Sequence, residues 1–383
     1  MVCLKRSLFA FVFGISACVI ATRTQHDAPD RILRNARRDG IDLESLPFTT
    51  SALAGIRAIH DSSKVTIPNF SNASRIDVHV HVVPEWYRAL VPFTGGIPTP
   101  HWDVQSHLQF MANNIAISAP GADVYLGDEE STIGLARLLN EYLAALARTY
   151  PKRFAFYAAM PLPYSQAAIR EAEHATTLGA VGIGCLSNHE GHYLGAALLN
   201  PFFAFLNTRN TSKEMIYVHP TESVLNVNGS FLSANPTQYP SGIVEFYFET
   251  ARTIMDLTIS QTILNYTKLN FVIPHVGGGF PAVEDRFIKS YPAVEARAKE
   301  VYRTRFWWDS AGPTYFAQVK GLLAYGVPTG QLLFGTDYPY APLFAYGPSV
   351  AAITNADFLN GTEKVSIFAE NAMRLFGTAL PAI

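Results

Sequence analysis

Ile76-Asp77-Val78-His79-Val80-His81-Val82-Val83-Pro84 is the stretch on which the fold turns. On a strand, side chains two apart project to the same side, so His79 and His81 point together. Neutral imidazole is a good ligand for zinc and other borderline cations. An isolated H-x-H is more often a pair of solvated or hydrogen-bonded residues, but this one is not isolated. Tyr217-Val218-His219-Pro220 ends a later apolar run, and Phe334-Gly335-Thr336-Asp337-Tyr338-Pro339 ends the last. Three imidazoles and one carboxylate match a catalytic centre that keeps one position open for water or substrate. The expectation is therefore that His79, His81, His219 and Asp337 hold one divalent ion, with zinc the better match to a His-rich set and manganese permitted. His275, in Ile273-Pro274-His275-Val276-Gly277-Gly278-Gly279, is a fifth candidate; beside such a centre it becomes a general acid or base.

Outward from these residues, short apolar runs alternate with longer helical patterns, the signature of βα units on a parallel sheet. Eight strands are predicted: 76–83, 115–118, 154–160, 180–186, 215–219, 271–275, 306–309 and 332–336. The first, fifth, sixth and eighth end in His or Asp, where a strand would reach the C-terminal rim that carries the chemistry of barrel enzymes. That placement favours a (β/α)8 TIM-like barrel in the α/β class over an open doubly wound sheet. A single catalytic domain is expected over 75–383. Leu135, Leu138, Leu139, Tyr142 and Leu146 share one helical face, with Arg137 and Glu141 off it and Ser131 as a candidate N-cap. The segment 245–266 repeats the pattern less cleanly.

The 383 residues, 49% hydrophobic and 16% charged, suffice for a substantial core, and disorder is not expected for most of the chain. A net charge of −2 and pI near 6.6 leave no basic face for nucleic acid and no cationic stripe for an anionic membrane, so the expected partner is a small molecule. Residues 1–21 read as a secretory signal: Lys5 and Arg6, the apolar run Leu8 to Ile20, and Ala21 for cleavage. That run is short for a transmembrane span. Sequons at Asn69, Asn72, Asn210, Asn228, Asn265 and Asn360 agree with entry into the secretory pathway. Cys3 and Cys18 lie in the signal, leaving Cys185 as the mature chain's one thiol, with no intramolecular disulfide. Residues 22–74, charged and then Ser- and Asn-rich, read as an extension or linker.

With these motifs in place, the chain resembles the amidohydrolase superfamily, in the branch of aminocarboxymuconate-semialdehyde decarboxylase and related non-oxidative decarboxylases. Glu141-Tyr142 with Pro151-Lys152-Arg153-Phe154, Tyr193-Leu194-Gly195, Val218-His219-Pro220-Thr221, Pro274-His275-Val276-Gly277-Gly278 and Gly335-Thr336-Asp337-Tyr338-Pro339 are similar to the group that includes fungal 6-methylsalicylate decarboxylase. The likeness runs from about Arg75 to Phe376. It implies that His79, His81, His219 and Asp337 are metal ligands and that His275 handles the metal-bound water. It also implies that Arg286, in Glu284-Asp285-Arg286, reaches into a neighbouring subunit's site and holds a carboxylate, hence a homodimer. Two departures matter. No lysine ends the fourth strand, where Gly184-Cys185-Leu186-Ser187 stands, so one metal is expected rather than two. A second substrate-binding arginine after strand one has no counterpart, which argues against a dicarboxylate substrate.

The leading expectation is non-oxidative decarboxylation of a hydroxylated aromatic acid, 6-methylsalicylate to m-cresol and carbon dioxide. The ring carbon must be protonated before the carboxyl leaves, and His275 or Asp337 is the candidate acid. Trp307, Trp308, Phe93 and Trp102 are candidate walls of an aromatic pocket, and each is equally an ordinary core residue. His189 and His192, on the rim after strand four, are candidate substrate contacts that as loop histidines would otherwise be solvated. The same ligand set also serves hydrolysis of a lactone or amide. A secreted binding glycoprotein that has lost catalysis is the reading from another class.

Overall fold

The apolar runs form strands in the order in which they occur. β1 (Arg75–Val80), β2 (Asn114–Ser118), β3 (Phe154–Ala159), β4 (Gly182–Leu186), β5 (Glu214–His219), β6 (Leu269–Ile273), β7 (Phe306–Asp309) and β8 (Leu332–Leu333) make one sheet in chain order. Every pairing in it is parallel. The structure, a computed structural model, describes residues 28–61, 65–67, 75–111, 114–118, 121–235, 237–312, 316–340 and 346–380. The candidate signal and the sequons at Asn69 and Asn72 lie outside the described residues.

The two edges of the sheet are joined. Val78 N donates to Phe334 O at 3.0 Å, Asp337 N to His79 O at 2.9 Å, and His81 N to Tyr338 O at 2.7 Å. Val80 and Tyr338 form a parallel bridge. The expected α/β class and curled parallel sheet are thus present, with helices packed outside. β1 and β8 stop short of their expected ends at 83 and 336, and a side chain enters the ladder between them. The buried Asp77 carboxylate accepts from His79 N at 3.2 Å, Thr336 N at 3.1 Å and Thr336 Oγ1 at 2.6 Å. The β1 register shifts between Asp77 and Val80.

The interior of the curl is layered. Its lower part is apolar and aromatic: Ile76, Val78, Tyr157, Met215, Tyr217, Val272, Trp307 and Leu333, closed below by Leu375, Phe376 and Leu380. The Tyr157 and Tyr217 rings stack with centroids 4.6 Å apart. Alternate residues point outward, where Ile216, Phe271, Phe306 and Trp308 meet Phe202, Ile254, Phe280 and Tyr302 of the surrounding helices.

Two expectations for the helices are corrected. The stretch 22–74 is not simply a linker: Pro29–Arg38 and Thr49–Ala58 are helices. They bury Ile32, Ala36, Ala52 and Ile56 in the same cluster as Leu135, Leu138 and Leu139 of the Glu129–Thr149 helix. Each such side chain contributes roughly 1.5–3 kcal/mol relative to exposure, except alanine, which gives less. Arg137 and Glu141, expected on an exposed face, are consequently buried and paired. Arg137 bonds Glu171 at 2.8 Å and Asp39 at 3.0 Å, and Glu141 faces His174 at 2.9 Å. The N-cap of this helix is Asp128 rather than Ser131. Its carboxylate accepts from Ser131 N at 3.0 Å, and Glu129 and Glu130 in the first turn complement the helix dipole. Among the described residues no helix is long and apolar enough to cross a membrane.

Candidate metal centre

β1 supplies His79, His81 follows its last residue, β5 ends in His219, and Asp337 follows β8. One ligand atom from each lies within 4.8 Å of the others. Asp337 Oδ1 is 3.1 Å from His81 Nε2 and 3.3 Å from His79 Nε2. The rings of His79 and His219 are 5.1 Å apart and nearly perpendicular, as are His81 and His219 at 4.6 Å. Two features show that this cluster fits a cation. His79 Nε2 is fully buried and makes no hydrogen bond. Burial and the neighbouring imidazoles hold His219 well below its usual pKa, hence neutral and able to coordinate.

Burial alone would lower the pKa of His79, but Asp309 and Asp337 outweigh it and push it up to about 10. A proton on that ring stands where a divalent ion would place its charge, since ligand sites trade protons for metal. Burial would likewise raise Asp337, but the neighbouring His275, His79 and His81 hold its carboxyl well below the usual carboxylate range. The donor set of three imidazoles and one carboxylate is thus ready for one divalent cation.

Asp309, which the sequence reading passed over, orients the centre. Its Oδ2 is 3.0 Å from His79 Nδ1, and its Oδ1 accepts from His275 N at 3.1 Å and Ala311 N at 2.9 Å. A carboxylate behind a ligating imidazole fixes its tautomer and ring direction. The signal was available, because β7 also ends in a carboxylate at the rim. His275 Nε2 lies 3.7 Å from Asp337 Oδ2, and its ring stacks on Tyr247 with centroids 5.2 Å apart. Both His275 (φ 53°) and Asp337 (φ 62°) occupy the left-handed region that non-glycine residues rarely adopt. Gly278 permits the turn behind His275, since a Cβ there would lie 2.4 Å from Tyr247 O.

The four ligand positions divide between two surroundings. His81, His219 and Asp337, with His275, open onto one cavity of about 1340 Å³, whereas His79 is enclosed behind them. The cavity wall is mainly apolar, with Val83, Leu90, Leu186, Ile243, Phe246 and Tyr247 among its residues, and among the described residues no Lys or Arg lines it. Phe93 stands at the mouth, 64% exposed.

The other expected contacts do not reach it. Trp307 faces the interior but lies two residues below Asp309, one layer under the centre, in the apolar cluster with Val272 and Leu333. Trp308 points outward to Phe280, and Trp102 is buried with its Nε1 donating to His107 Nδ1 at 2.8 Å. His189 is buried rather than solvated and is absent from the cavity wall. Its Nε2 accepts from Leu186 N at 3.1 Å, and burial lowers its pKa to about 3. His192, paired with His189 in a two-residue antiparallel ladder, also stays outside the wall. Arg286 is exposed on the Phe280–Ile288 helix, one turn beyond the wall residues Pro281 and Ala282.

Known proteins resemble this chain in sequence and in fold. Decarboxylase yanB of Aspergillus niger is 28% identical over 79% of this chain and 87% of its own. The 6-methylsalicylic acid decarboxylase of Penicillium expansum is 29% identical over 70% of this chain and 86% of its own. In fold, the 5-carboxyvanillate decarboxylase of Novosphingobium aromaticivorans, solved with manganese, matches 79% of this chain and 95% of its own at a TM-score of 0.64 and 20% identity. The amidohydrolase family profile matches residues 76–378, so this chain belongs to the amidohydrolase family.

Proposed function

We propose that the protein is a metal-dependent decarboxylase of hydroxylated aromatic carboxylic acids, with 6-methylsalicylate going to m-cresol and carbon dioxide as the reaction to test first. The observation that carries this reading is the convergence of His79, His81, His219 and Asp337 at an apolar cavity large enough for an aryl ring, with His275 alongside. The curled eight-stranded sheet is read as the (β/α)8 barrel of the family, one catalytic domain over 75–383. The decarboxylases among its relatives support the reaction class.

A divalent ion, zinc or manganese, held by the four ligands would supply positive charge for the substrate's carboxylate and its ortho oxygen. The chain's own residues do the rest. The apolar wall packs the ring and keeps water away from it, which strengthens every charge interaction inside. His275 Nε2 and Asp337 Oδ2, 3.7 Å apart, form one relay for the proton that reaches the carboxyl-bearing carbon. Once that C–H bond exists, the C–C bond to the carboxyl breaks, its electron pair restores the aromatic ring, and carbon dioxide departs. Asp309 keeps His79 and the His275 backbone in register throughout.

We further propose a homodimer, in which exposed Arg286 and Val283 on the Phe280–Ile288 helix meet a second copy. A secretory route is proposed too, supported by the exposure of the sequon asparagines 210, 228, 265 and 360. The test of function is incubation of metal-loaded protein with 6-methylsalicylate and a panel of aryl acids, assaying gas and phenol. Stoichiometric carbon dioxide and phenol are expected. Ring-opened acid from a lactone panel without gas would replace the reading by a hydrolase, and silence on both panels by a binding protein.

A further inference from the structure

A cavity of about 1340 Å³ is much larger than one benzene ring, so the metal centre alone would leave a bound aryl acid free to swing. Productive geometry needs a second fixed point, and in mainly apolar pockets a few polar groups provide it. The wall holds two carboxylates besides Asp337. Glu222 accepts from Ser241 Oγ, as Asp123 accepts from a neighbouring hydroxyl, but Asp123 stands beside Tyr87 and Tyr340, and the Tyr340 ring packs on His81. Asp123 Oδ2 accepts from Thr221 Oγ1 at 2.7 Å, and Thr221 follows the metal ligand His219 by two residues. Tyr87, Tyr340 and Gly121 line the same part of the cavity. Tyr87 OH is turned away to Gly121 O at 2.8 Å, and the Tyr340 ring packs edge-on to His81 at 5.0 Å. Asp123 therefore presents acceptor capacity to a cavity whose lining has no Lys or Arg among the described residues, close to the metal histidines.

We propose that Asp123, held by Thr221, is a specificity-determining residue that accepts a hydrogen bond from a second ring hydroxyl of the substrate, one not adjacent to the carboxyl. This rests on the aryl-acid decarboxylase reading and narrows it. The preferred class becomes dihydroxylated aryl monocarboxylic acids, with 6-methylsalicylate a poorer member. A second carboxylate on the ring would be repelled by Asp123 and would find no cation in the wall.

The test compares kcat/KM for 6-methylsalicylate and its ring-hydroxylated derivatives in the wild type, Asp123→Asn and Asp123→Ala. At least one derivative should exceed 6-methylsalicylate by about tenfold, chiefly through KM, the size of one hydrogen bond to a charged acceptor. That ratio should fall to about one in Asp123→Ala and part of the way in Asp123→Asn, which keeps an acceptor oxygen. A ratio unchanged in both variants, or no favoured derivative in the wild type, overturns the proposal. Calorimetric binding of m-cresol and of the matching dihydroxytoluenes, which are product analogues, supplies a readout without turnover. If no aryl acid releases gas, the decarboxylase reading fails. A dihydroxytoluene preference that disappears in Asp123→Ala would still uphold the role of Asp123, and equal binding of all the phenols would refute it.

Discussion

The upper and lower parts of the sheet's interior are built from the same strands, by unbroken alternation on β5 and β7 and across a register shift on β1 that turns both Val78 and His79 inward, yet they do different work. On β5, Met215, Tyr217 and His219 take successive inward positions, and on β7 Trp307 lies under Asp309. One step along an inward face is about 7 Å of strand. Below that step, side chains fill space against Leu375 and Phe376. Above it, imidazoles and carboxylates converge, and two of the residues involved carry left-handed backbone. Facing inward is therefore not enough to make a residue functional. Its layer decides.

The comparison is broken most severely by changing the upper layer. Asp337→Asn should lower kcat/KM by about 10³-fold or more, comparable to losing a principal charge-stabilising group. Circular dichroism and melting temperature should stay near the wild type, and a large loss of folding would mean that the upper layer is structural. Asp309→Asn is expected to be milder. Removing the partner behind a ligating imidazole typically costs about 10- to 100-fold in metal affinity, which titration against a chelating indicator would read. Unchanged affinity would show that His79 needs no orienting carboxylate.

Trp307→Phe probes the layer beneath. Lost volume in a packed interior should reduce stability by about 1–2 kcal/mol, while kcat for metal-loaded protein should change less than about twofold. A drop in kcat much beyond that would place Trp307 in the site after all. The smallest effect concerns His189, buried away from the cavity with its pKa at about 3. The unfolded chain binds a proton there below about 6.5, so the contribution of His189 is fully present above that pH and is lost as pH falls toward 3. At pH 5.5 the penalty is roughly 1 kcal/mol. His189→Gln should therefore lose less melting temperature than the wild type between pH 7.5 and 5.5. An equal loss would place His189 in contact with solvent.

Strand order and the clustering of His79, His81, His219 and Asp337 were legible because period-two apolar runs announce strands and because His or Asp at a strand end is unusual. The order β1 to β8 and those four positions follow from that pattern. The layer of each aromatic was not legible: the parity of Trp307 is correct, but nothing in Phe306-Trp307-Trp308-Asp309 says how far down the interior it sits. Asp309 and Asp77 were missed because the partners that tie them into the centre are remote in sequence, His79 for the first and Thr336 for the second, although each also accepts from a backbone N–H two residues on. The helix at 29–38 was hidden by its charge. Arg31, Arg34, Arg37 and Arg38 read as solvated chain, while Ile32 and Ala36 between them form the buried face.

The central claim is that the four residues of the upper layer share one divalent ion. Elemental analysis of purified protein after exhaustive dialysis, alongside His79→Ala prepared in the same way, tests it most directly. The account predicts about one zinc or manganese per chain in the wild type and well under a tenth in the variant, with activity following the metal through chelation and reconstitution. Equal metal in both proteins, or full activity in metal-free wild type, would contradict it.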